Sequence, residues 1–254
     1  KPVAKLLLEH GADVQATKQD GFNALMAAAF GGHEAEAQLL LEHGADVKVT
    51  MNSGFTALMF AAQGGHEAAL KLLLKHHADV RATASNGSTA LILAAAGGHT
   101  ALARLLLEHR ADVSAATKNG STALILAAAG GHKPVAKLLL EHGADVQATK
   151  QDGFNALMAA AFGGLEQRAD VRATKRDGSN ALMAAALYGH DAEAQLLLEH
   201  GADVRTADNN GFTALTQAAQ SGHEAAVKLI LEHGADVKAA TNKGSTPLIL
   251  AAAG

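Results

Sequence analysis

The chain has 254 residues, a net charge of −4 and no cysteine, so it offers neither the positive charge that attracts nucleic acid or anionic lipid nor thiols for disulfides, metal sites or nucleophilic catalysis. Hydrophobic residues make up 48% of the sequence but aromatic residues only 3%, which predicts a thin core of Ala and Leu. No apolar run approaches the roughly 18 residues of a membrane span, so no membrane insertion is expected.

Glycine recurs along the sequence at a fixed interval. The step between successive turn glycines is 33 residues in each of two runs, and the step that joins the runs is 25 residues. A period of this length indicates a repeat architecture in which each unit is one supersecondary element that stacks on its neighbours. The turn glycines are Gly21, Gly54, Gly87, Gly120 and Gly153 in the first run, and Gly178, Gly211 and Gly244 in the second.

The first predicted helix of each unit follows a capping residue. In the unit that begins at Gly54, the hydroxyl of Thr56 can accept a hydrogen bond from an unpaired amide of the first turn. Asn23 and Asn180 occupy the same position in their units. The Gly-Gly-His sequence at 64–66 then ends this helix.

A second predicted helix completes the unit. Glu67 begins it in the unit of Gly54 and suits the positive end of the helix dipole. The buried side of such a helix follows the spacing i, i+3, i+4, which predicts that Val227, Ile230 and Leu231 are core residues. Helices of about eight residues are marginal alone, so they depend on stacked neighbours.

The residue after the second helix is expected to adopt the left-handed backbone conformation, with positive φ. Gly44 and its equivalents fit this C-cap without strain. His77, Arg110 and Arg168 replace the glycine in other units, at a cost in strain. The residues between Ala-Asp-Val and the next turn glycine remain for a short hairpin-like finger.

The pattern G-x-T-A-L-x-x-A-A-x-x-G-H, followed by L-L-L-E-H-G-A-D-V, resembles the ankyrin repeat, which carries T-P-L-H at the head of its first helix. The resemblance covers essentially the whole chain. It implies an all-α solenoid of helix–turn–helix units with hairpin-like fingers. The His of the family pattern is replaced here by residues such as Met26 and Thr216, so the Thr–His hydrogen bond of the family cannot form. We expect these junctions to rely on apolar contact.

The unit that begins at Gly153 is short. Compared with residues 21–47, it lacks the eight residues equivalent to 33–40, which removes most of the second helix. We therefore predict a first block of repeats at 1–164 and a second block at 165–254. Three interpretations remain open: a defect between two stacked blocks, a hinge or docking notch, or an imperfect assembly of a longer sequence.

Both ends of the chain carry half units. Residues 1–10 match a second helix without its first, and residues 246–254 match a first helix without its second. Terminal repeats normally carry a polar outer face, which Leu248, Ile249 and Leu250 do not provide. We expect the natural chain to continue beyond both ends, or a covering subunit to shield them.

Thirteen of the 14 histidines form two rows with one member per unit, and His77, at the position of the C-cap glycine, is the exception. One row follows the glycine pair, as at His66, and the other lies near the end of the second helix, as at His43. Adjacent members are expected roughly 10 Å apart, whereas zinc ligands lie about 2 Å from one ion. A structural role is therefore favoured, and no metal or cofactor is expected. A weaker hypothesis is pH sensing by imidazoles that charge together.

No residue of the sequence stands out as catalytic. Carboxylates and glycines recur with the repeat, and no phosphate-binding glycine motif is present, so the chain is predicted not to be an enzyme.

A row of basic residues follows the Ala-Asp-Val motif of the units. For this row, pairing with the Asp two residues earlier is favoured over a nucleic-acid groove, which needs unopposed charge and stacking aromatics. That row comprises Lys48, Arg81, Arg172, Arg205 and Lys238.

The positions that vary between units predict a binding surface. The resemblance implies that partners contact the fingers and the exposed side of the first helices. Packing of the Phe side chains against the adjacent finger is the alternative, and contact is expected mainly on the units of Gly21, Gly54, Gly178 and Gly211. The candidate partner-binding residues are Phe22, Phe30, Met51, Phe55, Gln63, Phe154, Phe162, Leu187, Tyr188, Phe212 and Gln220.

These observations together predict a non-enzymatic scaffold for protein–protein interaction, located in the cytoplasm and part of a longer chain. Two alternatives remain open. One is an architectural subunit within a large assembly. The other is the regulatory repeat region of an enzyme or channel whose active part lies outside this sequence.

Overall fold

The structure is a computed structural model that describes residues 2–146, 148–151 and 174–253. These residues form short helices joined by turns, so the predicted all-α repeat architecture is confirmed. The helices are α1 (Pro2–Glu9), α2 (Ala24–Phe30), α3 (Glu34–Glu42), α4 (Ala57–Gly64), α5 (Glu67–Lys75), α6 (Ala90–Ala96), α7 (Thr100–Glu108), α8 (Ala123–Ala129), α9 (Lys133–Glu141), α10 (Ala181–Tyr188), α11 (Asp191–Glu199), α12 (Ala214–Gln220), α13 (Glu224–Glu232) and α14 (Pro247–Ala253).

The chain divides into two compact units. Unit 1 comprises Lys1–Ala123 with Pro134–Ala144, and unit 2 comprises Leu124–Lys133 with Asp145–Gly254. The predicted block boundary between 164 and 165, and the eight-residue gap near it, lie outside the described residues.

Side-chain caps begin the first helices as predicted. The amide of Met59 donates to Thr56 Oγ1 at 3.2 Å, and the amide of Met26 donates to Asn23 Oδ1 at 2.9 Å. Each cap satisfies an amide that the helix itself leaves unpaired. The caps are themselves buried, Asn23 at 5% exposure and Thr56 at 6%, so they also hold the finger against its helix.

The core lies between the first and second helices of successive repeats. In α5, Leu70 and Leu73 are fully buried. The prediction for α13 is only partly right: Ile230 is buried, Val227 is half-buried and Leu231 is 37% exposed. Leu231 is exposed because no described second helix packs on that side of α13.

The left-handed residues after the second helices are confirmed. Gly44 has φ +85°, while His77 and Arg110 have φ 63° and 64°. A side chain at such a φ costs roughly 1–2 kcal/mol, so these two repeats carry strain that the glycine repeats avoid. Arg168 lies outside the described residues.

The fingers are narrow hairpins, as predicted. Within the described residues, their extended pairing is limited to isolated antiparallel bridges such as Thr50 with Thr56. The amide of Asn52 donates to the Asp20 carbonyl of the preceding finger at 2.8 Å. Equivalent bonds join Ser85 to Ser53 at 2.7 Å and recur in unit 2. Neighbouring fingers are therefore joined backbone to backbone.

The turn glycines lie where two fingers touch. Gly87 has φ +85°, and a Cβ atom on it would lie 2.7 Å from the Cα of Thr117 in the next finger. Gly21 meets the Cα of Met51 at 2.9 Å in the same way. A side chain would therefore be strained and would push the fingers apart, which explains the fixed period of the glycine.

Histidine joins the first helices of successive repeats. The ring Nε2 of His66 lies 2.9 Å from the carbonyl oxygen of Phe30 in the preceding repeat, and that of His223 lies 3.1 Å from the carbonyl of Leu187. A carbonyl only accepts, so the ring nitrogen donates. The expectation that the junctions rely on apolar contact is therefore incomplete, although Met26 is fully buried.

The second histidine row caps the ends of the second helices. Nδ1 of His43 donates to the carbonyl of Leu39 at 2.8 Å. The same bond, to the residue four positions earlier, recurs at His109 and His200. The carbonyl of Leu39 also accepts the backbone amide of His43 at 3.1 Å, so the imidazole adds a second hydrogen bond at the end of the helix. Both rows thus have structural partners within the repeat array.

The residues of the basic row bond to the preceding Asp through their backbone amides and not through their charged side chains. The amide of Lys48 donates to Asp46 Oδ1 at 2.9 Å, and the amide of Arg205 donates to Asp203 in the same way. At the four members that the structure describes, the predicted pairing with the Asp two residues earlier is a hydrogen bond from the main-chain amide to the carboxylate and not an ion pair of side chains. Arg172 lies outside the described residues.

We predict that Gly87→Ala destabilises unit 1 more than Gly44→Ala does. Both residues have φ +85°, but nothing lies within 4 Å of a Cβ on Gly44. Gly44→Ala should lower the free energy of unfolding by about 1–2 kcal/mol, and Gly87→Ala by roughly 2–5 kcal/mol because the fingers must also separate. Urea denaturation measures both. Equal losses would show that the finger contact does not constrain the glycine.

We also predict that His77→Gly stabilises the protein. The substitution relieves the left-handed strain at φ 63° and should raise the free energy of unfolding by roughly 0.5–1 kcal/mol after the entropy cost of glycine is subtracted. Lys75→Gly, in the last turn of α5, is the control and should lower it by about 1 kcal/mol. A loss of stability in both variants would contradict the strain at His77.

Candidate protein-binding surface

Four phenylalanines of unit 1 form one aromatic cluster, which we call the phenylalanine cluster. Phe60, in α4, is its centre. Its ring lies 5.6 Å from that of Phe22 and 5.7 Å from that of Phe30, both edge to face, and 5.5 Å from that of Phe55 at an interplanar angle of 48°. Offset and edge-to-face pairs at these distances are the favourable geometries for aromatic rings.

The four rings differ in exposure. Phe30 is 57% exposed, whereas Phe22, Phe55 and Phe60 are half-buried. Phe22 packs against Phe60, which lies in helix α4 of the next repeat and not in the adjacent finger. Phe30 is held from one side by Phe60 and faces solvent on the other. The cluster is therefore both a joint between two repeats and an exposed apolar surface.

The local fold places each ring. Phe30 is the last residue of α2 and its carbonyl accepts the hydrogen bond of His66, so the helix end is fixed. Phe55 follows the turn glycine, and its carbonyl accepts from the amide of Met51 at 2.9 Å across the finger. Met51 itself is half-buried beside this hairpin. The backbone around the cluster is therefore organised before any partner arrives.

One positive charge lies at the edge of the cluster. Lys18 Nζ is 4.9 Å from the centroid of the Phe22 ring, within the range of a cation–π contact. Asp20, in the same finger, accepts from the amide of Phe22 at 3.0 Å. Gln63, at the position equivalent to Phe30 in the next repeat, is exposed. The rim of the cluster is thus polar and carries both signs of charge.

Phe60 is the functional candidate that sequence reasoning did not select. It belongs to the first-helix position that reads Ala27 one repeat earlier, where the side chain is small. A large ring that appears once at an otherwise variable helix position was the available signal. The contact itself joins two repeats and depends on how closely α2 and α4 approach.

A smaller apolar surface lies in unit 2. Tyr188 is 51% exposed and stacks on the imidazole of His190, with ring centroids 6.3 Å apart. Leu187 and Phe212 are half-buried, and Gln220 is exposed at the end of α12. The backbone of Phe212 is held by its carbonyl, which accepts a hydrogen bond from the backbone amide of Asp208 at 2.8 Å. The candidate residues Phe154 and Phe162 lie outside the described residues.

The remaining fingers present small side chains. Ser88 and Ser121 take the place of Phe55 and are only 5% and 4% exposed. In these fingers the polar groups bond to one another: hydrogen bonds from the Ser114 side chain and backbone lower the pKa of Asp112. Ser179 lowers the pKa of Asp177 similarly. These carboxylates are engaged in finger turns.

No group of three or more His, Cys, Asp or Glu side chains in the described residues could hold a metal ion. No described helix is long and apolar enough to cross a membrane.

A family model described as ankyrin repeats in three copies matches the chain in overlapping segments, at residues 1–84, 69–150, 114–167 and 157–241. A search of curated proteins gave no match. Ankyrin repeats are in general modules for protein–protein interaction and are typically non-enzymatic. Because the matched segments together span residues 1–241 and carry the capped helices and fingers described above, the chain belongs to the ankyrin-repeat family.

Proposed function

We propose that this chain is a non-enzymatic scaffold for protein–protein interaction and that the phenylalanine cluster is its main partner-binding surface. The observation that carries the proposal is the state of Phe30, which is 57% exposed although its ring is already held 5.7 Å from that of Phe60. An aromatic ring that packs against another ring on one side and is exposed to solvent on the other is suited to anchor a partner.

Preorganisation supports this assignment. Binding normally requires that side chains at the interface lose rotamer freedom, which lowers the affinity. The ring of Phe30 has already lost part of that freedom through its contact with Phe60, and the backbone carbonyl of Phe30 is fixed by His66. Phe22 and Phe55 are half-buried and contact the same Phe60 ring. A partner would therefore meet an ordered surface.

The polar rim gives the surface its orientation. Lys18 and Asp20 flank Phe22, and Gln63 follows Phe30 along the row of first helices. Such an apolar centre with a polar rim is the usual anatomy of a protein interface. In unit 2, Tyr188, Leu187, Phe212 and Gln220 are the candidates for a second contact.

The proposed surface predicts which substitution weakens binding. Peptides selected from a random library on the immobilised chain are titrated by calorimetry against wild type and Phe30→Ser. We expect roughly 30-fold weaker binding to Phe30→Ser, the loss of an interface anchor of about 2 kcal/mol. Ala96→Ser is the control, since Ala96 is exposed at the equivalent position of another repeat, and it should bind as wild type does.

Circular dichroism of each variant confirms that the fold is retained, because Phe30 contributes mainly its exposed ring. Selected peptides that bind wild type and Phe30→Ser with equal affinity would contradict the phenylalanine cluster as the binding surface.

A further inference from the structure

Asparagine directly precedes three of the eight turn glycines. The backbone nitrogen of the residue after an asparagine can attack the carbonyl carbon of the asparagine side chain, and glycine, which has no Cβ, hinders this attack least. All three asparagines are exposed, so water reaches them. The pairs are Asn86–Gly87, Asn119–Gly120 and Asn210–Gly211.

The side chains of Asn86 and Asn119 are held by the amide two residues later. The amide of Ser88 donates to Asn86 Oδ1 at 2.9 Å, and the amide of Ser121 donates to Asn119 Oδ1 at 3.1 Å. Thr117 Oγ1 also donates to Asn119 Oδ1. Such turns engage the side-chain carbonyl with the backbone. The side chain must leave these hydrogen bonds to present its carbonyl carbon to the glycine nitrogen.

The side chain of Asn210 is not held in this way. The carboxylate of Asp208 takes its place, because Asp208 Oδ1 accepts from the amides of Asn210 and Phe212, both at 2.8 Å. The finger of Asn86 has Ala84 at the position of Asp208 and so has no competing carboxylate there. In the described part of the chain, no hydrogen bond holds the side-chain amide of Asn210.

The attacking nitrogen is placed alike in these two fingers. The amide of Gly211 donates to the carbonyl of Asp208 at 2.9 Å, and the amide of Gly87 donates to the carbonyl of Ala84 at 2.8 Å. The two glycines have φ +82° and +85°. The fingers therefore differ in the freedom of the asparagine side chain and not in the position of the glycine.

We propose that Asn210 is a site of spontaneous deamidation and reacts faster than the other two Asn–Gly pairs. The Gly211 nitrogen bonds to Asn210 Cγ and loses its proton, while the bond from Cγ to the side-chain nitrogen breaks and ammonia leaves. Water then opens the cyclic imide. Opening at Cγ gives aspartate, and opening at the backbone carbonyl carbon gives isoaspartate, in which the main chain runs through the side chain.

The finger accepts aspartate at this position. Asp20 and Asp177 precede the turn glycine in other repeats. Asp20 Oδ1 accepts from the amide of Phe22 at 3.0 Å, and Asp177 Oδ1 accepts from that of Ser179 at 2.9 Å. The aspartate product therefore leaves the backbone of the finger unchanged and adds one negative charge.

Isoaspartate, by contrast, changes the contact with the next finger. The carbonyl of Asn210 accepts from the amide of Asn242 at 2.8 Å, and the carbonyl of Asn209 accepts from Asn242 Nδ2 at 2.9 Å. A Cβ atom on Gly211 would lie 2.7 Å from the amide nitrogen of Asn242, so the two fingers have no room between them. The extra main-chain carbon of isoaspartate displaces the Asn210 carbonyl and breaks the hydrogen bond to Asn242.

Peptide mapping by mass spectrometry, after incubation of the 254-residue chain in neutral buffer, tests the reaction. Asn210 should convert roughly 2- to 10-fold faster than Asn86 or Asn119, the factor by which a typical hydrogen bond lowers the reactive fraction. Asn52 and Asn242, each followed by a residue with a side chain, are controls in the same sample and should remain unconverted. Conversion at Asn210 that is no faster than at Asn86 would overturn the proposal.

Two variants test the cause. In Asp208→Ala the amide of Phe212 is free to bond Asn210 Oδ1, so conversion of Asn210 should slow to the rate of Asn86. Thr117→Asp places a carboxylate at the equivalent position of another finger and should speed conversion of Asn119 roughly 2- to 10-fold. Circular dichroism checks the fold of both. If the rates in the folded variants equal those of wild type, the role of the carboxylate is wrong.

Hydrogen–deuterium exchange tests the effect on the finger contact. The amide of Asn242 should exchange faster in the purified isoaspartate form than in fresh wild type, since its acceptor has moved. Asn210→Asp is the matched control and should exchange as fresh wild type does. An isoaspartate form that protects Asn242 fully would contradict the loss of the contact. Neither measurement involves the phenylalanine cluster, so the outcome is separate from that of the peptide titration.

Discussion

The close contact between the turn glycine of one finger and the backbone of the next is the constraint on which the other features depend. A Cβ atom on Gly21 or Gly87 would lie within 3 Å of the neighbouring chain, and an amide–carbonyl hydrogen bond is formed beside each of them. This contact sets the distance between successive fingers. The first helix begins directly after the finger, at a capped Thr or Asn, so the finger contact also sets how closely the first helices approach.

The histidine junction acts at the opposite end of the first helix. The ring of His66 lies over Gly64 and donates to the last residue of the preceding first helix, Phe30. The helices α2 and α4 are thus each held at the start by the fingers and at the end by an imidazole, that of His66 and that of His99. A helix held at both ends needs few apolar atoms, which is how a core of Ala and Leu with so few aromatic residues suffices. The aromatic residues are then free to serve at the surface.

Much of the fold could be predicted from the sequence because the repeated residue types determine the local backbone conformation. The caps at Thr56 and Asn23, the left-handed Gly44 and the strained His77 each follow from the conformation of a few adjacent residues. The sequence marks Phe60 only as a large ring at a variable helix position; its contacts with Phe22 and Phe30 could not be predicted, because they cross between repeats and depend on side-chain direction. The hydrogen bond of His66 was missed for the same reason, since the sequence shows its period but not its acceptor. Leu231 was assigned to the core by its spacing, yet burial also requires a neighbouring helix.

The histidine junction has a consequence for how the protein folds. Its donor and acceptor are 36 residues apart in the chain, and the backbone hydrogen bonds between neighbouring fingers join residues with a similar separation in the sequence. No contact of this kind requires the closure of a long loop, so the entropy lost before the first stabilising contact is small. Folding can therefore start at any well-packed pair of repeats and spread along the array, and the order in which repeats form is set by their individual stabilities.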